Sequence, residues 1–480
     1  MPGPFALLLI LLAQTQSPAP TTVATHPRVR EATAALGRWL DGQRAYQRIP
    51  GVTAAVVHDQ EVVWEGGFGL ADVGRKTPAT PATVFSICSI SKLFTSLALL
   101  QLRDRGKLRL DDPVAKHLPW FTPKNATGDG GPITVEGLLT HASGLPSEAA
   151  DSYWVEPTMT FPTHEELVRA VSERSTLYRP ETYIQYSNLG FTIVGEVVAA
   201  ASGQSYADYV RANLLQPIGL ENTFSEMPTA ERGKRLATGY SQWPREGDRH
   251  PMPFYQTKAM APAAGYASSA LDLAKFASWQ FRVLGFGGGN VLSGNTLREM
   301  QRVHFVDPGW QTTWGLGFQV WRDDGKTFVG HGGSCPGYRT QILLKPDERV
   351  ATIVMANTFD TDAHALAQQA YHLVGPAIKA ALADSSGSVP PPTPELDRYL
   401  GAYLTFGGEL EVIRWEGGLA TMRVPSDHPV ATITKYRWIA EHTFRAVRPD
   451  GALGETMTFD LGPDGRPIRA RTNYLMPRVR

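Results

Sequence analysis

The distribution of strand-like and helical patterns along the chain limits its fold more than any other feature. Residues 52–58 and 61–67 alternate apolar and polar side chains around a two-residue turn, which predicts a β-hairpin. Apolar residues at helical spacing follow, over 89–105 and again over 189–202. Strand-like runs return only later, at residues 314–321, 327–331, 338–344 and 350–356. The pattern predicts an α/β (α+β) domain in which both ends of the chain build one sheet and the middle forms a helical insert, with an active site in the cleft between the two parts.

A segment rich in proline divides the chain. Residues 384–395 contain four prolines and a Ser-Ser-Gly-Ser cluster, a composition typical of a linker. We therefore assign residues 25–383 to a main domain whose last helix covers 362–383. Residues 396–480 carry short alternating runs separated by glycine, proline and aspartate, which predicts a small all-β barrel or sandwich. These runs are residues 409–415, 419–424, 432–437 and 456–461.

The N-terminal residues have the pattern of an export signal. Residues 5–13 form an unbroken apolar run, far shorter than the roughly 20 residues that a membrane-spanning helix needs. We interpret residues 1–20 as a signal peptide and expect a periplasmic or secreted protein. Because no Lys or Arg precedes the run, a disordered apolar tail is the alternative. No later run predicts an integral membrane span.

The net charge argues against polyanionic partners. Lys+Arg and Asp+Glu each number 46, so the formal charge is zero. A neutral chain has no electrostatic reason to bind nucleic acid or an anionic membrane surface. Two cysteines are too few for a disulfide scaffold or a multi-cysteine metal site, and we expect neither a metal nor another cofactor.

Ser89 and Lys92 form an S-x-x-K pattern at the start of the first predicted helix. Residues three apart lie on one helical face, so the Lys92 Nζ can reach the Ser89 Oγ. Burial would lower the pKa of the lysine enough for it to act as a base. A serine in the first helical turn lies at the positive end of the helix dipole, which suits a developing oxyanion. A surface lysine with a capping serine is the competing interpretation, and it has equal weight on this motif alone.

A Y-S-N sequence precedes the second predicted helix. The Tyr186 phenol can relay protons if a neighbouring ammonium favours its phenolate form, and the Asn188 amide can orient a substrate carbonyl. Taken singly, an ordinary buried tyrosine followed by a helix cap explains this motif better.

An H-G-G sequence ends one of the late predicted strands. Gly332 and Gly333 would let a substrate backbone approach closely, and the N–H group of Ser334 could serve as an oxyanion donor. A lone histidine such as His331 is more often structural.

These three motifs in this order, together with three side signatures, resemble those of a known superfamily. The chain resembles the serine β-lactamase and penicillin-binding-protein superfamily, and is most similar to the class C-related branch of DD-peptidases, D-aminopeptidases and family VIII esterases. The resemblance covers residues 52–373. The side signatures are L-L-T-H-A-S-G-L-P at 138–146, G-Y-A-S-S at 265–269 and W-G-L-G-F at 314–318.

The resemblance implies a β-lactamase/transpeptidase-like fold with an antiparallel sheet, and three catalytic roles. Ser89 is implied to be the acylated nucleophile and Lys92 its general base. Tyr186 is implied to pass a proton to the leaving group and to activate the deacylating water. His141 and Ser143 belong to a structural loop in the family pattern.

The resemblance also implies how a substrate is held. Asn188 orients it, and the backbone N–H groups of Ser89 and Ser334 form the oxyanion hole. The residues that line the wall of the site are His331, Gly332 and Gly333.

His331 stands where many relatives have lysine. A histidine is largely neutral at pH 7, so it cannot anchor the carboxylate of a β-lactam as a permanent cation would. This difference argues against efficient β-lactam hydrolysis. Arg339 could supply the missing charge, although an arginine on a strand more often faces solvent.

The two cysteines flank the implied oxyanion hole. Cys88 directly precedes Ser89, and Cys335 directly follows Ser334, so the two cysteines should lie on adjacent walls of one site. A similar placement occurs as a disulfide in the class A carbapenemases, and we expect a Cys88–Cys335 bridge, which suits an exported enzyme. The alternative is two buried, unpaired thiols.

The sequence therefore predicts a serine hydrolase that cleaves ester or amide bonds of small or D-amino-acid-containing substrates through a Ser89 acyl-enzyme. The alternative among enzymes is a class C-like β-lactamase or DD-carboxypeptidase. The alternative outside enzymes is a protein that is acylated by β-lactams, senses peptidoglycan or acts as a scaffold. The C-terminal β domain resembles those of some D-amino-acid peptidases. The oligomeric state is not predicted.

Overall fold

The structure, a computed structural model, describes residues 22–128, 130–150, 153–155, 157–287, 291–384 and 394–480. The expected signal peptide, residues 1–20, lies outside the described residues, as do residues 385–393 of the expected linker. In the described ranges no helix is both long enough and apolar enough to cross a membrane.

Both ends of the main domain contribute strands to one antiparallel sheet. The strands of this domain are β1 (Gly51–His58), β2 (Glu61–Asp72), β3 (Thr77–Pro78), β4 (Val84–Ser86), β5 (Ala267–Ser269), β6 (Phe305–Val306), β7 (Thr313–Trp314), β8 (Gln319–Asp323), β9 (Lys326–Cys335), β10 (Tyr338–Lys345) and β11 (Val350–Ala356). The sheet has the order β3-β2-β1-β11-β10-β9-β8-β7-β6, and β4 and β5 form a separate pair. Val52 near the start of the domain therefore lies opposite Ala356 near its end.

Helices cover the sheet and fill the region between β4 and β6. The α-helices are α1 (Pro27–Tyr46), α2 (Ser91–Asp104), α3 (Val114–His117), α4 (Val135–Leu139), α5 (His164–Glu173), α6 (Asn188–Ser202), α7 (Tyr206–Val210), α8 (Gln216–Ile218), α9 (Ala261–Ala264), α10 (Ala270–Phe286), α11 (Gly294–Gln301) and α12 (Ala363–Ala383). A π-helical stretch, Arg211–Leu215, joins α7 to α8.

The central strand β1 is buried on both faces because helices pack against each side of the sheet. Successive side chains of a strand point to opposite faces. Ala54 and Val56 accordingly join the apolar cluster that contains Trp39 of α1, whereas Ala55 and Val57 join the larger core that α2, α6 and α10 share. The helical insert therefore rests on one face of the sheet, and the cleft between them lies along β9.

The C-terminal domain is a nearly closed eight-stranded antiparallel barrel. Its strands are β12 (Gly401–Thr405), β13 (Gly408–Trp415), β14 (Gly418–Val424), β15 (Thr434–Ala440), β16 (Thr443–Val447), β17 (Leu453–Leu461), β18 (Pro467–Arg471) and β19 (Leu475–Pro477). They pair in chain order, and a bridge between Tyr403 and Arg478 links the first strand to the last segment of the chain. Trp39 of α1 donates from Nε1 to the Ser426 carbonyl at 2.8 Å, so the barrel docks against α1 of the main domain.

The predicted fold class is confirmed, and the structure corrects several element boundaries. The single strand expected over 314–321 is two strands, β7 and β8, because Gly317 turns the chain with a φ of +80°, a left-handed conformation that favours glycine. The strand expected over 432–437 begins at 434, because Pro429–Thr432 form a 3-10 turn. The barrel also contains β12, β16, β18 and β19, which were not predicted.

Candidate active site

A strained turn presents Ser89 at the start of α2. Ser89 lies in a short 3-10 turn, Cys88–Ile90, and Cys88 adopts a left-handed backbone conformation with a φ of +48°. The flanking chain is fixed by hydrogen bonds to Tyr266, whose carbonyl accepts from the Ile87 N–H at 2.8 Å and whose N–H donates to the Ser91 Oγ at 3.0 Å. These hydrogen bonds hold Ser89 at the positive end of α2.

Lys92 is fully buried one turn after Ser89 and faces it. Its Nζ lies 3.1 Å from the Ser89 Oγ and donates to the Asn188 Oδ1 at 2.7 Å and to the Ala263 carbonyl at 2.8 Å. Burial lowers the pKa of Lys92 to about 7, and the charge of Glu148 partly opposes this shift. An amine with this pKa can exist in both protonation states near neutral pH, as a general base requires.

Tyr186 lies beside both residues and is a neutral phenol. Burial raises its pKa well above the ordinary value, although a hydrogen bond with Ser89 acts in the opposite direction. The Lys92 Nζ lies 4.9 Å from the centre of the Tyr186 ring. The phenolate form considered from the sequence is therefore disfavoured, and the hydroxyl is suited to passing a proton on rather than to holding a negative charge.

The loop that contains L-T-H-A-S-G-L-P holds the Y-S-N segment in place. His141 accepts the Ser187 N–H at its Nδ1 at 3.1 Å, and the ring centres of His141 and Tyr186 are 4.3 Å apart. Ser187 caps α6 by accepting from the Gly190 N–H at 2.8 Å, and it donates to the Pro146 carbonyl at 2.7 Å. These contacts orient Tyr186 and Asn188 toward Ser89.

Glu148 is a site residue that sequence reasoning missed. Its Oε1 accepts from the Asn188 Nδ2 at 2.6 Å and from the Trp154 Nε1 at 3.0 Å. The amide of Asn188 therefore bridges Lys92 and Glu148, and burial raises the pKa of the carboxyl. Only its position two residues after the L-T-H-A-S-G-L-P signature could have pointed to it.

Strand β9 forms the opposite wall of the site and passes close to the turn that contains Ser89. A side chain at Gly333 would begin 2.3 Å from the Ile87 carbonyl oxygen, so only glycine fits there. The His331 Nδ1 lies 2.6 Å from the Gly332 carbonyl, and burial, reinforced by the Lys92 charge, lowers the pKa of His331 to about 3. His331 is therefore neutral at pH 7 and supplies no cation to the site.

One cavity of about 640 Å³ brings the three motifs together. Its wall also includes Arg339, a residue for which the sequence did not decide between a side chain facing solvent and one facing the site. The motif residues that line it are Ser89, Tyr186, Asn188, His331, Gly332, Gly333 and Ser334. Lys92 reaches this group only through its hydrogen bonds, because its side chain is covered completely.

Cys88 and Cys335 are joined by a disulfide between the residues that adjoin Ser89 and Ser334, with their Cα atoms 5.8 Å apart. The Ser86 Oγ packs against the bridge, 3.5 Å from the Cys335 Sγ. The bridge therefore ties the turn that contains Ser89 to the end of β9.

Thiol titration should detect no free thiol in unfolded, non-reduced protein and two after reduction. Reduction should also lower the free energy of unfolding by about 2–4 kcal/mol, because the bridge closes a long loop. Urea unfolding with and without reductant measures this change. Two free thiols before reduction would contradict the bridge.

Comparison with known proteins gives the family. The family model described as Beta-lactamase matches residues 36–375. Protein flp of Staphylococcus aureus (strain COL) is 28% identical over 318 residues, which are 64% of this chain and only 60% of that relative. The human beta-lactamase-like 1 protein is 27% identical over 393 residues, which are 79% of this chain and 76% of that protein.

Solved structures share the architecture. The octameric penicillin-binding protein homologue from Pyrococcus abyssi superposes with a TM-score of 0.63 and 25% identity, covering 92% of this chain and 99% of that one. A beta-lactamase/D-alanine carboxypeptidase from Yersinia pestis has a similar fold, with a TM-score of 0.60 and 23% identity over 72% of this chain and 98% of its own. The family match spans most of the chain and includes all three motifs of the cavity, and the chain therefore belongs to the beta-lactamase family.

Proposed function

We propose that the protein is a serine hydrolase that cleaves ester or amide bonds of small or D-amino-acid-containing substrates through an acyl-enzyme on Ser89. The contact between Ser89 and Lys92 carries the proposal, because a buried amine with a pKa of about 7 stands 3.1 Å from the hydroxyl that it would deprotonate. The beta-lactamase family is hydrolytic in character, which supports the same reaction type.

In the acylation step, the neutral amine of Lys92 accepts the Ser89 proton while the Oγ attacks the substrate carbonyl carbon. The negative charge that develops on the carbonyl oxygen is stabilised by the backbone N–H groups of Ser89 and Ser334. When the ester or amide bond breaks, the leaving group takes the proton of the Tyr186 hydroxyl, and the Lys92 ammonium restores it. The site then holds the acylated serine, neutral lysine and neutral phenol.

Deacylation repeats these transfers with water as the nucleophile. Water gives a proton to the Tyr186–Lys92 pair as its oxygen attacks the ester carbon, and the Ser89 Oγ takes that proton back as the acyl group leaves. Asn188 contributes by holding the Lys92 Nζ at 2.7 Å, so that the amine stays directed toward Ser89.

A β-lactamase or DD-carboxypeptidase is the second candidate, and the similarity to the Yersinia pestis protein favours it. The third motif favours the first candidate, because His331 is neutral and cannot hold a substrate carboxylate as a lysine would.

We also propose the domain organisation and the location. A catalytic domain over 25–383 joined through 384–395 to the β domain of 396–480 is supported by the separate apolar core of the barrel. Export is supported by the apolar run at 5–13 and by a disulfide, which persists in oxidising compartments.

Intact-mass spectrometry during turnover tests the proposed function. The panel comprises p-nitrophenyl esters, D-aminoacyl p-nitroanilides and a chromogenic cephalosporin. With a true substrate, the protein should transiently gain the mass of the acyl group, and the gain should disappear as product stops forming. Ser89→Ala should show neither effect.

Two outcomes would contradict the proposal. A gain in mass that persists without product release would indicate a protein that is acylated but does not turn over. Full ester hydrolysis by Ser89→Ala would show that Ser89 is not the nucleophile.

A further inference from the structure

We propose that Arg339 binds a carboxylate on the acyl portion of the substrate, so that the enzyme prefers acyl groups that carry a negative charge. This inference rests on the proposed function, since it concerns the same cavity and the same acyl-enzyme. It assigns to a residue on β10 the charge that the third motif lacks.

Arg339 is positioned by the sheet next to the proposed oxyanion hole. It lies directly opposite Ser334 in the pairing of β9 with β10, and side chains that are paired in this way lie on the same face of a sheet. Both residues line the cavity that contains Ser89. A group bound by Arg339 is therefore close to the acyl carbon.

The guanidinium is held in one orientation and keeps donors available. Its Nε donates to the Phe359 carbonyl, and its central carbon lies 4.3 Å from the centre of the Phe359 ring. Among the residues that the structure describes, the hydrogen bond from Nε is the one polar contact of this guanidinium, and its two Nη groups form no ion pair with a carboxylate. A planar guanidinium in this state can bind a carboxylate through two parallel hydrogen bonds.

The two acidic residues nearby are engaged elsewhere. Asp360 accepts from the Arg249 Nη1 at 2.6 Å, and Asp362 caps α12 by accepting from the Ala365 N–H at 2.9 Å. Burial lowers the pKa of the Arg339 guanidinium, and the charges of Asp362 and Asp360 partly oppose this shift. Their charges also weaken the long-range attraction of anions, so recognition depends on direct contact.

No other permanent cation lines the cavity within the described part of the chain. Lys92 is fully covered and committed to Ser89, Asn188 and Ala263, and His331 is neutral. Arg339 is thus the group that can distinguish an anionic acyl chain from an apolar one.

The order of groups along β9 places the carboxylate on the acyl side. His331 lies near Tyr186, which would protonate the leaving group, with ring centres 6.3 Å apart. Ser334 lies three residues further along the strand, about 10 Å away at the usual rise of a strand, and Arg339 is opposite it. Arg339 therefore enters the cavity beside Ser334, at the end of β9 away from His331 and Tyr186.

A matched pair of esters tests the proposal. Mono-p-nitrophenyl adipate and p-nitrophenyl hexanoate have the same leaving group and the same number of acyl carbons, and differ in a terminal carboxylate. The quantity measured is the ratio of kcat/KM for the adipate ester to that for the hexanoate ester. Arg339→Gln should lower this ratio at least tenfold, mainly through KM.

Arg322→Gln is the matched control. It removes one positive charge from an exposed position of β8 that does not line the cavity, and its ratio should equal that of the wild type. An unchanged ratio in Arg339→Gln, or an equal fall in both variants, would overturn the proposal. If the wild type hydrolysed neither ester, that result would instead overturn the proposed function.

A measurement on the wild type covers the case in which Arg339→Gln does not fold. Adipamate and hexanamide place a carboxylate or a methyl group at the same distance from an amide carbonyl. Adipamate should inhibit hydrolysis of the hexanoate ester at concentrations at least tenfold lower than hexanamide. Equal inhibition by the two would overturn the proposal.

Discussion

Lys92→Met should lower kcat/KM for an activated ester by about a thousandfold, the usual contribution of a positioned general base. Methionine keeps the length and apolar stem of the side chain but cannot accept a proton. The protein should remain folded, because the Lys92 site is completely buried and burial is what disfavours the charged amine. Steady-state kinetics and a thermal unfolding curve on the same preparation measure both expectations.

The wild-type pH profile provides the matching test of mechanism. Lys92 must be neutral to accept the Ser89 proton, and its pKa is about 7. The value of kcat/KM should therefore fall as the pH decreases below about 7, by about tenfold for each pH unit, and level off above it. Glu148→Gln removes a negative charge that favours the ammonium, so the falling limb should move to lower pH.

A wild-type activity in Lys92→Met would remove the lysine from the mechanism. If kcat/KM instead fell only near the ordinary pKa of a carboxyl group, and fell at the same pH in Glu148→Gln, a carboxylate would be the base.

The contact between Ser89 and Lys92 could be predicted from the sequence because local spacing determines its geometry. The two residues are three positions apart, one in the 3-10 turn and one in the first turn of α2, and this spacing places their side chains on the same face. The sheet could be predicted from strand-like alternation near both ends of the domain. Early in the domain β1 has only β2 as a long neighbouring strand, and its other edge pairs with β11 from the end of the domain. Such patterns are carried by residues that are neighbours in sequence.

The rest of the site depends on contacts that no local pattern encodes. Glu148 reaches Lys92 only through Asn188, which is on a different element, and a glutamate in a loop is usually exposed. The direction of Arg339 is set by its pairing with Ser334 and by the Phe359 carbonyl. The protonation state of Tyr186 depends on the extent of its burial, which the sequence does not give.

Tyr186→Phe should slow turnover by about a hundredfold to ten-thousandfold and make the acyl-enzyme accumulate. The variant lacks only the hydroxyl, so the ring keeps its packing against His141 and Trp314, at 4.3 and 5.8 Å between ring centres. A p-nitrophenolate leaving group departs without a proton, so acylation needs the phenol less than deacylation does. Stopped-flow absorbance should therefore record a burst of p-nitrophenol followed by slow release, and the intact mass should show acylated Ser89.

Tyr206→Phe is the control for loss of a buried phenol. The Tyr206 hydroxyl lies 2.5 Å from the Thr95 Oγ1 and 2.9 Å from the Tyr266 hydroxyl, against α2 but outside the cavity. Its removal should lower the free energy of unfolding by about 1 kcal/mol, the usual contribution of one hydrogen bond, and leave the stopped-flow trace like that of the wild type.

If Tyr186→Phe slowed acylation and deacylation equally and no burst appeared, the Tyr186 hydroxyl would act on both steps alike, and water activation would not be its distinctive role. That result would leave the amine of Lys92, which contacts Ser89 directly, as the group that activates both nucleophiles.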